Sequence, residues 1–358
     1  MPYQERCQKV QALLKQEKLD ALLVTSGANR YYLSGFRGSA GTLLVTRDQV
    51  FLLTDGRYVD QAKEQAPYCR VLHQGSDWYG TLNQLVKDLG VQKLAFEQEH
   101  VSYDEYLRWS EKIEVTALVG KRNFVETFRE IKDSRELAAM KKAAAIADKA
   151  FQELLSVLRP GLTETEVAAE LEYRMRRLGS EGPAFDTIVA SGSRSALPHG
   201  TPTEKKISFG DFVVLDFGAV YQGYRSDMTR TVVVGRASPK QKDLYQLVLR
   251  AQLAGLQTVR AGETCENVDR AARDILTQEG YGECFGHSLG HGVGLEVHEN
   301  PRLAQGNKLV LKPGMVVTVE PGVYLTDWGG VRIEDMVVVT GDGCEILTQT
   351  PKELIEIF

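Results

Sequence analysis

The chain has no CxxC pair. It also has no unbroken apolar stretch near the roughly 18–20 residues that a membrane-spanning helix needs. Its most apolar runs, Phe212–Tyr221 and Met315–Val319, are short and hold or adjoin carboxylates. The five cysteines, Cys7, Cys69, Cys265, Cys284 and Cys344, are odd in number and scattered. That argues against a disulfide framework or a zinc site and reads as free thiols in a reducing cytoplasm. A basic excess is missing as well: 43 Lys and Arg stand against 48 Asp and Glu, a formal net charge of −5. Binding nucleic acid or an anionic membrane takes a basic face, so neither partner is expected. Met1–Lys9 carries charge and no apolar core, so no secretory leader is read there and a cytoplasmic setting is expected. Histidine is scarce, six residues in all, which makes any clustering of it informative.

Of the 358 residues, 43% are hydrophobic and 25% charged, ordinary values for a globular chain. The length suggests about two domains. Residues 1–127 alternate helix and strand. Glu5–Leu19, Tyr58–Gln65, Trp78–Leu89 and Tyr103–Lys112 have helical spacing, and Ala21–Thr25, Thr42–Thr46, Val50–Thr54 and Leu94–Phe96 are short apolar runs bounded by turn residues. This is a smaller α/β domain. Residues 128–358 read differently. Asp133-Ser-Arg-Glu136 and Thr163-Glu-Thr-Glu166 are capping boxes that each open a helix, and Lys240–Arg260 and Thr264–Glu279 are two more helices. Val-rich strands at Phe212–Phe217, Thr229–Val234, Met315–Val319 and Met336–Val339 lie among them. Helices grouped among antiparallel hairpins give an α+β second domain.

Two hairpins carry the chemistry. If Val213–Gly218 and Ser226–Val234 turn back on each other between Tyr221 and Gln222, Asp216 faces Asp227. If the C-terminal hairpin is centred on Asp327, Glu320 faces Glu334. Directly opposed like charges repel, and buried carboxylates are costly unless protonated or bound to metal. Four acids in two facing pairs, each in a Val-rich run, therefore point to divalent cations such as Mn²⁺, Fe²⁺, Co²⁺ or Zn²⁺. Three of the six histidines fall in Gly286-His287-Ser-Leu-Gly-His291-Gly-Val-Gly-Leu-Glu-Val-His298, whose glycines allow close backbone approach. His199 sits in the loop-like stretch Ser195-Ala-Leu-Pro-His199-Gly.

At these residues the chain resembles the pita-bread metallopeptidases, and within them the branch of Xaa-Pro dipeptidases (prolidases) and aminopeptidase P. Tyr31–Gly41 and Thr54-Asp-Gly-Arg-Tyr58 look like the creatinase-like N-terminal domain of that branch. The resemblance implies an α+β pita-bread catalytic domain at 128–358 behind that domain at 1–127. It implies two divalent ions, most often Mn²⁺, with Co²⁺ or Zn²⁺ as alternatives, held by Asp216, Asp227, His291, Glu320 and Glu334. His199, His298 and Glu320 fall on catalytic positions. His287, Arg302 and Arg332 form the substrate-side set, with Arg302 matching an arginine that holds a dipeptide's carboxylate and Arg332 bracing the acidic cluster. The implied activity is hydrolysis of Xaa-Pro dipeptides by a hydroxide bridging the metals. One alternative is an aminopeptidase P that trims longer Xaa-Pro peptides; a more remote one is a non-catalytic binding protein. The implied partners are short proline-containing peptides and, as in relatives, a second copy in a homodimer.

Overall fold

The computed structural model describes residues 2–358 and separates into two compact units, one ending at Arg129 and the other running from Glu130 to Phe358. The expected boundary, between residues 127 and 128, lies just ahead of that division.

The first unit is built on six strands: β1 (Ala21–Val24), β2 (Thr42–Thr46), β3 (Val50–Thr54), β4 (Arg70–His73), β5 (Lys93–Glu97) and β6 (Ala117–Lys121). They line up in the order β4-β3-β2-β1-β5-β6, antiparallel through β1–β2–β3 and parallel at β3–β4, β1–β5 and β5–β6. Leu23, Leu44, Leu53 and Phe96 of the sheet pack against Leu82, Val86 and Trp109 of the helices Trp78–Asp88 and Tyr103–Lys112. The strands missing from the sequence reading are β4 and β6. Both are edges of the sheet and only partly buried along their length, so they lack the apolar run that marks a central strand. The helix Gly27–Ser34 was also missed. Its start is held by the buried Glu97 carboxylate, which accepts from the backbone N–H groups of Thr25 at 2.7 Å and Ser26 at 2.8 Å.

The second unit is two helix pairs, each packed on its own mainly antiparallel sheet. Both expected capping boxes form, opening Ser134–Leu155 and Glu164–Arg177. That pair covers a four-stranded sheet of β7 (Ile188–Ser191), β8 (Phe212–Phe217), β9 (Met228–Val234) and the C-terminal Ile355–Ile357, with Phe151, Leu171, Leu215 and Val232 in its core. The pair Pro239–Thr258 and Cys265–Gln278 covers a five-stranded sheet through Val248, Val268, Val317 and Val337. That sheet runs in the order Glu299–Leu303, Gly290–Gly292, Val316–Val319, Asp335–Val339, Cys344–Ile346. Each sheet contributes one of the acid-bearing hairpins. They meet where the Glu334 N–H donates to the Thr229 carbonyl at 3.1 Å. No helix among the described residues is long and apolar enough to cross a membrane.

Candidate metal centre

The first hairpin differs from its expected register. Gln222 and Gly223 both take positive φ, 49° and 78°, as a two-residue primed turn requires. The turn therefore lies one residue later than expected, which slips the pairing by two: Asp216 stands opposite Thr229, not Asp227. A slip of two, unlike a slip of one, keeps every side chain on its face. Asp227, just ahead of β9, thus remains a diagonal neighbour of Asp216 on the same face. Backbone contact here is tight: a Cβ on Gly218 would lie 1.8 Å from the Ser226 carbonyl oxygen. The second hairpin keeps the expected register. Val319 pairs with Asp335 and Gly322 with Arg332, and Glu320 and Glu334 occupy the same alignment between those pairs.

His291 enters from the short strand Gly290–Gly292, beside Val316–Val319. Its Nδ1 lies 3.0 Å from the Gly292 carbonyl oxygen and donates to it. That hydrogen bond leaves the Nε2 lone pair facing the acids, 3.6 Å from Asp227 Oδ2 and 3.4 Å from Glu320 Oε1. Ligand atoms of Asp227, His291 and Glu334 all lie within 4.8 Å of one another. Asp216 Oδ2 accepts from Arg332 Nη2 at 2.6 Å, while its Oδ1 is buried with no partner among the described residues.

The electrostatics fit a cation. Burial, then the charges of Glu334, Asp216 and Glu320, push the Asp227 carboxyl well above the usual range. Burial, then Glu320 and Asp216, do the same to Glu334. Burial and the Asp216 charge push Glu320 up to about 8, against the pull of Arg332. Burial holds His291 below the ordinary imidazole range and so favours its neutral form. Four carboxylates share one guanidinium, one carboxylate oxygen is buried without a hydrogen-bond partner among the described residues, and the imidazole lone pair faces two of the acids. Divalent metal is the charge that this set of hard oxygens and one nitrogen accepts.

The remaining expected residues surround this cluster. Arg332 is buried. Its guanidinium donates to Asp216, to Thr229 Oγ1 at 3.0 Å, to the Pro198 carbonyl at 3.1 Å and to the Tyr324 hydroxyl at 2.8 Å. It holds the acids in place and has little left to offer a substrate. The His298 ring is exposed, with its centroid 4.4 Å from that of His291. His287 is half-buried and uses both nitrogens: Nδ1 on the Ser288 carbonyl at 2.8 Å and Nε2 on the Tyr324 hydroxyl at 3.0 Å. Burial pushes it down to about 4. His199 is exposed, and its charge reaches both His287 and His298. Arg302 is exposed, and its charge bears on His291 and His298.

Three contributors escaped the sequence reading. Thr229 donates to Glu334 Oε2 at 2.7 Å; only the true register places it opposite Asp216. Thr318 donates to Glu320 Oε1 at 3.1 Å and accepts from the His291 N–H at 3.1 Å. Its position two residues before Glu320 in a strand was the available signal. Tyr324 links Arg332 to His287, and nothing in the local pattern marks it.

A buried carboxylate–imidazole cluster fed by two hairpins is a candidate centre for divalent metal. Residues 138–341 match the metallopeptidase family M24, and residues 6–131 match the creatinase/prolidase N-terminal domain. The chain belongs to metallopeptidase family M24. It is 40% identical to the Xaa-Pro dipeptidase of Pyrococcus horikoshii, over 98% of this chain and 99% of that one. Among solved structures it resembles an Xaa-Pro dipeptidase from Bacillus anthracis, with TM-score 0.96, 46% identity and 99% coverage of both chains. It also resembles an X-Pro aminopeptidase from Thermotoga maritima, with TM-score 0.92, 41% identity, and coverage of 98% of this chain and 99% of that one.

Proposed function

We propose that this chain is an Xaa-Pro dipeptidase working with two divalent ions, Mn²⁺ foremost, held by Asp216, Asp227, His291, Glu320 and Glu334. When bound, such ions acidify a water and polarise the scissile carbonyl. Glu320 takes a proton at its carboxylate and returns it to the proline nitrogen as the bond breaks. His298, at the exposed edge of His291, donates an N–H to the developing oxyanion. His199 faces the residue after the scissile bond.

The observation that favours a dipeptide is Arg302. Its exposed guanidinium lies within electrostatic reach of His291 and His298, and it has no ion-pair partner among the described residues. A free cation there suits the terminal carboxylate of a two-residue substrate. The second reading, an aminopeptidase P acting on longer peptides, is favoured by the Thermotoga likeness. A homodimer in a reducing cytoplasm belongs to the same proposal, and the five free cysteines suit that compartment. The test is hydrolysis of Ala-Pro beside Ala-Pro-Ala by Mn²⁺-loaded protein, with and without chelator. Chelator-sensitive cleavage of the dipeptide alone supports the proposal, whereas preference for the tripeptide transfers the chain to the second reading.

A further inference from the structure

The loop from Ser191 to Thr203 carries His199, and a buried carboxylate holds both of its ends. Glu164, the first residue of the helix Glu164–Arg177, has no solvent exposure. Its Oε1 accepts from the Ser191 N–H at 2.8 Å and from Ser191 Oγ at 2.9 Å. Its Oε2 accepts from the Thr203 N–H at 3.1 Å, from Thr203 Oγ1 at 2.8 Å and from Arg194 Nη1. Burial alone would raise this carboxyl; the donors on Thr203, Arg194 and Ser191 outweigh it and hold the group below the usual glutamate range. It is therefore an ionised acceptor for five donors.

The far side of the same loop meets the metal centre. The Pro198 carbonyl accepts from Arg332 Nη1 at 3.1 Å, and Ser195 Oγ accepts from the Gly330 N–H at 2.8 Å. The His199 ring, directly after Pro198 in the chain, has no hydrogen bond of its own among the described residues. Its place is set by the backbone that carries it. The Thr203 end has a second tether, since the Thr165 N–H donates to the Thr203 carbonyl and the Glu164 N–H to the Lys205 carbonyl, both at 3.1 Å. At the Ser191 and Arg194 end the carboxylate itself is the link to this helix.

We propose that Glu164 is the positioning residue for His199: by clamping Ser191, Arg194 and Thr203 it fixes the loop that presents this histidine to the substrate. The inference rests on the role given to His199 above. Its test is a double-mutant cycle on the Mn²⁺-loaded full chain with Ala-Pro and Ala-Pro-Ala, together with metal content and amide exchange over residues 192–202. Glu164→Gln should lower kcat roughly 10- to 100-fold, the usual cost of losing an outer support of a catalytic group. Bound metal should be unchanged, and exchange in the loop should rise. In a His199→Ala background the same substitution should cost less than about twofold, because the group it positions is gone. An equal cost in both backgrounds, or unchanged loop exchange, overturns the proposal. Should Glu164→Gln fail to fold, Thr203→Val removes one donor at nearly constant shape and should show a smaller loss with the same collapse in the His199→Ala background. If the unaltered protein cuts neither peptide, the substrate reading has failed, and the exchange over 192–202 still decides whether Glu164 clamps the loop.

Discussion

Loading metal into the stripped protein should release protons, and the structure sets how many. In the metal-free cluster Glu320 titrates at about 8, and Asp227 and Glu334 are also raised well above their ordinary range. At pH 7 Glu320 alone is then roughly nine-tenths protonated, and a metal ligand must give up its proton. The expected release is about one proton from Glu320 and up to about three from the cluster, because the carboxyls titrate as a coupled set. His291 is already neutral and adds none. At pH 9 the Glu320 share falls to about one-tenth of a proton. Stability should follow with a definite sign. A carboxyl whose folded pKa is raised binds protons more tightly folded than unfolded, so its contribution is lost as pH rises from the unfolded value towards the folded one. The stripped protein should therefore lose thermal stability between about pH 4.5 and pH 8, and the loaded protein should not. Titration calorimetry in buffers of different ionisation enthalpy counts the protons. Release below about 0.3 proton at pH 7 would show that the empty cluster is already ionised and refute this electrostatic picture.

Further substitutions separate catalysis, specificity and stability. Glu320→Ala or Asp227→Ala should remove essentially all hydrolysis, a loss of at least about 10³-fold in kcat; wild-type turnover with verified metal content would defeat their assignment. Arg302→Ala should raise KM for Ala-Pro about tenfold and leave Ala-Pro-Ala within about twofold; equal effects would return Arg302 to an ordinary surface role. Asp335 is buried and accepts from Arg230 Nη2, Lys352 Nζ and Thr348 Oγ1 at 2.8 Å and from Gln252 Nε2 at 2.9 Å. Asp335→Asn should cost about 3–5 kcal/mol in urea unfolding. Asp335 is held below the ordinary aspartate range despite its burial, chiefly by Arg230 and Lys352, so its stabilisation is lost as pH falls through that lowered value, and the variant's acid sensitivity should be correspondingly smaller. An unchanged urea midpoint would show that Arg230 and Lys352 do not depend on it.

What could be seen in the sequence was what lies within one hairpin. The Glu320–Glu334 alignment was legible because Val-rich runs flank both acids and the turn between them left little choice of register. The Asp216–Asp227 relation was legible as to face and wrong as to partner. Tyr221, Gln222 and Gly223 all read as turn residues, and only the backbone angles show that Gln222 and Gly223 make the turn. Face survives a two-residue slip and pairing does not, which is why the acids could be grouped on one face while Thr229 went unseen. Contacts between the two halves had no periodic signal at all. Arg332 reaches Asp216 across 116 positions, and Thr229 reaches Glu334 across 105. Glu164 shows the same limit more sharply. Its neighbours Thr163 and Glu166 form a capping box that accounts for the local acids, so a carboxylate at the first helical position looks like one more favourable charge at a helix start. Only folding brings Ser191, Arg194 and Thr203 to it and turns an acid of the first helical turn into the clamp on the loop that carries His199. A strand or helix pattern reports which side chains share a face; a site assembled from several elements is specified by donors and acceptors whose pairing depends on closure. Clustered acids and histidines can therefore be picked out by type and spacing, while the residues that aim them must be read from the fold.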